Sequence, residues 1–543
     1  MRSIRILFVL VVLLQSCYQS KEADIVVHNA LIYSVDENFS TYEAMAIKDG
    51  KILELGAERQ ILNKYKAEKK IDARKRSVYP GFYDAHSHFL GFAKNMAELN
   101  IFETKSIEEI KQQLLAFAED NQREWLVGRG WDQNDWAVKD YPDKSILDSL
   151  FPDRPVFLNR VDGHAAWVNS AALERVGIDG EFEIFGGEVK LDENGEPTGI
   201  LIDEAAEYME DRIPPLSRSE QRKLLMEAQE LCFQAGLTTV TDAGLPIADI
   251  LFLDSLQKFG DLNIGIYAMF QPGESTLEFL KKGPILTDKL SARSVKLYAD
   301  GALGSRGALL KEPYSDDTGN MGLLLLNDSI YSVYSKACLD YGFQLNTHCI
   351  GDSANSHVLK LYAESLEEMN DLRWRVEHAQ VVSEEDREYF KNYGIIPSVQ
   401  PVHATSDAPW AGKRLGNERL KNAYSYKSLM NQLGILALGT DFPVERISPI
   451  ENFYAAVFRK NRFGEPVNGF LPSEALSRQE ALRGLTIWAA IASFEENRKG
   501  SLEVGKQADF IILNRDIMKS SEEDLLKAEI IDTYVSGKRV TPN

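Results

Sequence analysis

Eight short apolar runs, each followed by a stretch of helical periodicity, and two β-rich ends that flank them predict an α/β protein. The expected architecture is a (β/α)8 TIM barrel over residues 80–497, with a large insertion after its first strand and a small β-sandwich domain formed by both termini. One interval calls for the insertion: about 150 residues separate the first two barrel-strand candidates, far beyond an ordinary βα connection. The 543 residues are ample for one large domain plus a smaller one, and 44% hydrophobic content is ordinary for a globular chain. A net charge of −21 argues against nucleic acid or an anionic membrane face as partner, since either would repel the protein.

In chain order, the first feature is a targeting segment. Met1 to Arg5 carries two arginines, and Ile6 to Leu14 is an unbroken apolar run too short to stay in a bilayer as a spanning helix. The following Leu14-Gln-Ser-Cys17 resembles the bacterial lipobox. That resemblance implies a signal peptide over residues 1–16, a linker over 17–23, and a periplasmic envelope protein whose membrane contact is a lipid on Cys17. An ordinary signal peptide with an incidental Cys17 is the alternative. Cys232, Cys338 and Cys349 are an odd set without C-x-x-C spacing, so they indicate neither a disulfide framework nor a thiolate metal site.

From Asp24 to about Pro80 short β-type runs alternate with turns, and Asp49-Gly50 between alternating apolar residues marks a hairpin. The same texture returns in Gly500 to Leu513 and Glu529 to Lys538, so residues 24–79 and 498–543 are read as one composite β-domain. His28, in the first of these strands, reads as a solvent-facing side chain. The eight barrel candidates are Val78 to Asp84, Leu237 to Asp242, Asn263 to Phe270, Ser294 to Ala299, Phe343 to Thr347, Trp374 to Glu377, Ile395 to Gln400 and Ile435 to Gly439.

The insertion, about 95–235, contains a hairpin signal at Asn194-Gly195 and two stretches rich in glycine, aromatic and polar residues, Gly128 to Trp136 and Arg160 to Asn169. These wall a pocket or pack on the insertion's own core; Trp131 and Trp136 stack on an apolar substrate or fill that core.

The chemistry concentrates at strand ends. In Val78-Tyr-Pro-Gly-Phe-Tyr-Asp-Ala-His86-Ser-His88 two imidazoles are spaced i and i+2, which on a strand puts both on one face, within reach of one ion. Alone, such a pair could equally be polar surface. Lys296 in the fourth strand, His348 closing the fifth, His378 after the sixth and Asp441 after the eighth join it, because a barrel gathers its strand ends. An ammonium facing divalent cations is electrostatically intolerable, so Lys296 is neutral, carbamylated by CO2, or turned away into an ion pair. Asp300 and Arg306 form a pocket rim or pair with each other; His403, after the seventh strand, lies near enough to touch substrate; His357 faces away and is inert.

These motifs resemble the amidohydrolase superfamily, in particular its N-substituted formamide deformylase-like metal-dependent hydrolases (amidohydrolase family 3). The resemblance is carried by Pro80-Gly-Phe-Tyr-Asp-Ala-His-Ser-His88, Gly163-His-Ala-Ala-Trp-Val-Asn169, Val295-Lys-Leu-Tyr-Ala-Asp-Gly-Ala-Leu-Gly-Ser-Arg306, Asn346-Thr-His-Cys-Ile-Gly-Asp-Ser-Ala354, Arg375-Val-Glu-His-Ala-Gln380 and Leu438-Gly-Thr-Asp-Phe-Pro-Val444. It implies one or two divalent ions, zinc by preference. His86, His88 and Asp441 would hold one, His348 and His378 a second, and Lys296 would bridge them as a carbamate. The implied function is hydrolysis of a non-peptide C–N bond in a small amide, N-substituted formamide or cyclic amide by metal-activated hydroxide, with Asp441 as proton carrier and His164 as a candidate oxyanion donor. A deacetylase or deaminase of the same superfamily and a non-catalytic ligand-binding lipoprotein are the alternatives. The oligomeric state is left open, a homodimer being the state to test.

Overall fold

The computed structural model describes residues 20–160, 164–185 and 187–541. The expected signal peptide and the Cys17 anchor lie outside the described residues, among which no helix is long and apolar enough to cross a membrane. The chain forms two compact units, one from the residues before Leu90 and those from Gln229 onward, the other from Leu90–Ala228.

Eight parallel strands organise the larger unit: β1 (Phe82–Ser87), β2 (Leu237–Leu245), β3 (Gly265–Phe270), β4 (Leu290–Tyr298), β5 (Gln344–Cys349), β6 (Arg375–His378), β7 (Ile396–Val399) and β8 (Ala437–Leu438). Their order in the sheet is their order in the chain, giving a nearly closed barrel. β1 and β3 are buried along their whole length, as strands of a parallel sheet covered on both faces must be. At the seam between β8 and β1, individual bonds replace the ladder. Thr440 donates its N–H to Asp84 Oδ1 (3.0 Å) and its hydroxyl to Asp84 Oδ2 (2.6 Å), and the Asp441 N–H donates to His86 O (2.8 Å). Gly439 is needed at this approach, because a Cβ there would lie 2.4 Å from His86 N.

The first strand candidate proves to be two strands. Ser77–Pro80 pairs antiparallel with Phe510–Leu513, whereas β1 pairs parallel with β2. The break falls at Gly81, whose N–H donates to Asp509 O and where a Cβ would lie 2.3 Å from the Thr238 side chain. A continuous apolar run gives no sign of a change of sheet, which is why the sequence pattern fused the two.

Ser77–Pro80 thus ties the barrel to the β-domain. There a four-stranded sheet of N-terminal strands faces a six-stranded sheet to which both ends of the chain contribute. Val27, Met45, Ile47, Val78, Phe510, Ile512 and Tyr534 fill the space between them. The Asp49-Gly50 hairpin joins Ala44–Lys48 to Lys51–Gly56, with φ of 52° and 72° at its two central residues, the positive pair that a tight two-residue turn demands.

The smaller unit contains a six-stranded mixed sheet, Gly187–Leu191, Pro197–Asp203, Ala165–Val168, Val156–Arg160, Leu126–Trp131 and Leu99–Asn100 in spatial order. The first two strands form the hairpin around Asn194-Gly195. Trp131 and Trp136 are buried with Trp167, Leu114 and Leu158 in this unit's own core, and Trp131 Nε1 donates to Leu158 O at 2.7 Å. Their large apolar area goes to holding the unit together.

Candidate metal centre

The C-terminal ends of the barrel strands bring four imidazoles together. His86 lies in β1 and His88 just beyond it, with ring centroids 5.6 Å apart; His378 ends β6 with its ring 4.8 Å from His86 and 4.5 Å from His348 of β5. Alternation along β1 puts His86 and His88 on one side, while Ser87 points away to donate to Thr241 O at 2.6 Å.

Three of the four rings share one tautomer by construction. His86 Nδ1 donates to Glu377 Oε2 (2.6 Å), His88 Nδ1 to Ala243 O (3.1 Å) and His378 Nδ1 to Gln400 Oε1 (2.7 Å). Each acceptor fixes the proton on Nδ1 and leaves Nε2 with its lone pair. On the fourth ring, His348 Nε2 is buried with no hydrogen-bond partner. Burial holds His86 and His378 below the ordinary imidazole range and takes His348 down to about 3, with the neighbouring basic groups acting in the same direction, so these three rings are neutral donors.

Asp441 lies three residues beyond β8 in a left-handed conformation, φ 62°, and His378 has φ 71°. Backbone strain of this kind costs about 1–3 kcal/mol per residue and is kept where the surroundings impose it. Asp441 Oδ1 sits 3.3 Å from His88 Nε2 and 3.7 Å from His86 Nε2, buried and without a hydrogen bond, while Oδ2 accepts from His403 Nε2 at 3.1 Å. Burial pushes its pKa up, but the His403 bond and the neighbouring rings outweigh it and hold the carboxyl well below its usual range.

Lys296 is buried and extends into the same space. Its Nζ lies 3.3 Å from His86 Nε2 and 5.0 Å from the centre of the Tyr298 ring, so its head meets an imidazole and not the ion pair of the turned-away alternative. Burial lowers its pKa, against the pull of the Glu377 and Asp441 charges.

These donors fit a divalent metal. Two orphaned buried atoms, His348 Nε2 and Asp441 Oδ1, have no protein partner, and imidazole with carboxylate is a donor set suited to zinc and its neighbours. Two triads have their ligating atoms within 4.8 Å of one another: His86, His88 and Asp441, and His378, His403 and Asp441.

Several expected residues lie elsewhere. His164 belongs to the smaller unit, exposed, with Nδ1 2.9 Å from Asp203 Oδ1. Asp300 and Arg306 do not pair: Asp300 accepts backbone N–H groups of Leu309, Ile350 and Gly351, and Arg306 binds Asp316. His357 pairs with Asp328, and His28 is only partly exposed, with Nδ1 3.0 Å from Glu58. Four residues escaped the sequence reading: Glu377, Gln400, Glu445 and Asp84. For Glu377 a signal existed, since Arg375 and Glu377 stand i and i+2 in a short buried strand and so charge one face of it. Burial works to raise the Glu377 pKa, yet His86, Arg375 and Lys296 bring it to about 2.

Comparison with known proteins places this geometry in context. The model of the amidohydrolase family matches residues 69–541. Protein LONG AFTER FAR-RED 3 of Arabidopsis thaliana is 33% identical over 96% of this chain and 92% of its own, and N-substituted formamide deformylase of Arthrobacter pascens is 26% identical over 95% and 97%. Among solved structures, an uncharacterized metal-dependent hydrolase from Pyrococcus horikoshii superposes with a TM-score of 0.78 at 28% identity, covering 92% of this chain and 99% of that one.

Proposed function

The chain belongs to the amidohydrolase family and is a metal-dependent hydrolase, and on that premise we propose that it cleaves a non-peptide C–N bond in a small amide, N-substituted formamide or cyclic amide. The observation that carries the reading is the convergence of imidazoles, three of them with Nδ1 tied to an acceptor so that the Nε2 lone pair faces the site, on Asp441 Oδ1 at the mouth of a barrel. The bond type follows the name of the N-substituted formamide deformylase relative, 26% identical over 95% of this chain.

His86, His88 and Asp441 would hold one ion, and His348 with His378 a second. Bound there, a divalent cation supplies a Lewis acid and lowers the pKa of water. The ionised Asp441 carboxylate is the acceptor the chain offers to the proton of the attacking water. As the C–N bond breaks, the same carboxyl returns that proton to the departing nitrogen, so water ends up shared between acid and amine products. Glu377, Ala243 and Gln400 keep three rings in the tautomer this requires.

Lys296 completes the set as a carbamate. Its buried amine, biased toward the neutral form, adds to CO2: the N–C bond forms as one C–O π bond becomes a carboxylate, the displaced N–H proton leaves to solvent, and a neutral amine becomes an anion. This removes the charge conflict between Lys296 and bound metal.

The test is metal analysis of the purified chain together with a panel of N-formyl, N-acyl and cyclic amides and amino-heterocycles. Bound metal with turnover of an amide-type substrate is the expected result. Ammonia release from the heterocycles alone would move the assignment to deamination, and bound metal with no turnover at all would favour a ligand-binding protein.

A further inference from the structure

One histidine at the site is held differently from the rest. His403, in the helix Pro401–Ser406 that follows β7, presents Nε2 to Asp441 Oδ2 and Nδ1 to Glu445 Oε1, both at 3.1 Å. The Ser406 hydroxyl donates to the same Glu445 oxygen at 2.5 Å and fixes that carboxylate in turn. The ring lies over His378 with planes 28° apart and centroids separated by 6.1 Å.

We infer that His403 and Glu445 are a positioning pair for Asp441: they hold Oδ2, leave Oδ1 as the oxygen offered to a metal, and keep His403 itself out of the ligand set. Carboxylate oxygens accept hydrogen bonds, and both ring nitrogens of His403 already face one at 3.1 Å, so each is engaged by the protein itself. His86, His88 and His378 do the reverse, each spending Nδ1 on an acceptor and turning the Nε2 lone pair toward the site. His403 is near enough to His378 and Asp441 for the three to suggest a cation site, but its hydrogen bonds assign it the other role.

Asp441 needs such a clamp. It stands beyond the end of β8 at φ 62°, where no strand ladder dictates its side-chain direction, and its Oδ1 is buried without a partner. With Oδ2 released, rotation about the side chain would exchange the two oxygens or turn both away from His86 and His88.

The inference rests on Asp441 being a metal ligand, and the test separates the two. Full-length protein loaded with Zn2+ is titrated with a chromophoric chelator, and the Co2+-loaded form is examined by visible absorption, for wild type, His403→Phe, His403→Gln and Glu445→Gln. Loss of an outer-shell partner costs about 10- to 100-fold in metal affinity. His403→Phe is expected to weaken Zn2+ binding by about that factor with metal stoichiometry and Co2+ band positions unchanged. His403→Gln, which keeps one N–H donor, should recover part of the loss, and Glu445→Gln should show a smaller loss in the same direction even if the phenylalanine variant folds poorly. Wild-type affinity in both His403→Phe and Glu445→Gln would overturn the pair's role. Loss of an ion, or shifted Co2+ bands, in His403→Phe would make His403 a ligand and overturn it equally. Wild-type protein that binds neither ion would remove the premise and the inference with it.

Discussion

Replacing Glu377 by alanine removes the carboxylate that holds the His86 ring by a 2.6 Å bond between two fully buried groups. A hydrogen bond to a charged partner is worth about 1.5–3 kcal/mol, and the ring it orients would offer Nε2 to the metal, so affinity should fall about 10- to 100-fold. Glu377→Gln keeps an acceptor and loses only the charge; a neutral bond retains about 0.5–1.5 kcal/mol, which leaves a fall of roughly 5-fold. Both variants leave Arg375 in place. Its guanidinium keeps Ala85 O, Ala492 O and the Ser493 hydroxyl, and its contact with Glu377 is a loose 3.7 Å, so the loss of fold stability should stay below the 3–5 kcal/mol typical of a broken buried pair. Chelator competition for Zn2+ and thermal melts of metal-free protein measure the two effects separately. Wild-type Zn2+ affinity in Glu377→Ala would refute the reasoning, because His86 would then be oriented without its carboxylate.

The same carboxyl gives a pH prediction. Its pKa is lower in the fold than in an unfolded chain, so its stabilisation is complete above the unfolded value and is lost as pH falls through the folded one; metal-free wild type should lose its advantage over Glu377→Gln between about pH 4 and pH 2 in acid-unfolding curves. Lys296→Met should abolish the carbamate carbon signal that 13CO2 produces in the NMR spectrum of the wild type; no such signal in the wild type would leave Lys296 a neutral amine. Gly439→Ala forces a Cβ to 2.4 Å from His86 N, so the melting temperature and metal affinity should drop together, and an unchanged variant would contradict the tight seam. Trp131→Ala should cost about 3–5 kcal/mol in stability, whereas Trp131→Phe should leave KM unchanged, the outcome for a core residue and not a substrate platform. Cys17→Ala should shift the protein from the membrane to the soluble fraction if the lipobox-like segment is used; retention at the membrane would count against the anchor.

Much of the barrel was readable because its strands carry period and punctuation: seven candidates fall on single strands within a few residues, and the oversized interval corresponds to a separate compact unit, Leu90–Ala228. The first candidate failed at Gly81, since an apolar run does not record which sheet each half joins. At the site, imidazoles are rare enough among eight histidines that their placement at strand ends could be noticed. Carboxylates are not: Glu377, Glu445 and Asp84 are three among 82 acidic residues, and their roles depend on partners 291, 42 and 356 positions away. The sequence also could not separate His403 from the rings around it, because being between two carboxylates is a property of the fold. Conversely, Trp131 and Trp136 invited a binding role that a small core had already taken.

Anomalous diffraction at the zinc edge from crystals of the metal-loaded protein tests the central claim most directly. The account predicts a peak within about 2.0–2.2 Å of His86 Nε2, His88 Nε2 and an Asp441 carboxylate oxygen, the distances usual for zinc with these atoms. A zinc peak bonded to His403 with Asp441 displaced, or no peak at the barrel mouth in protein that turns over substrate, would contradict it.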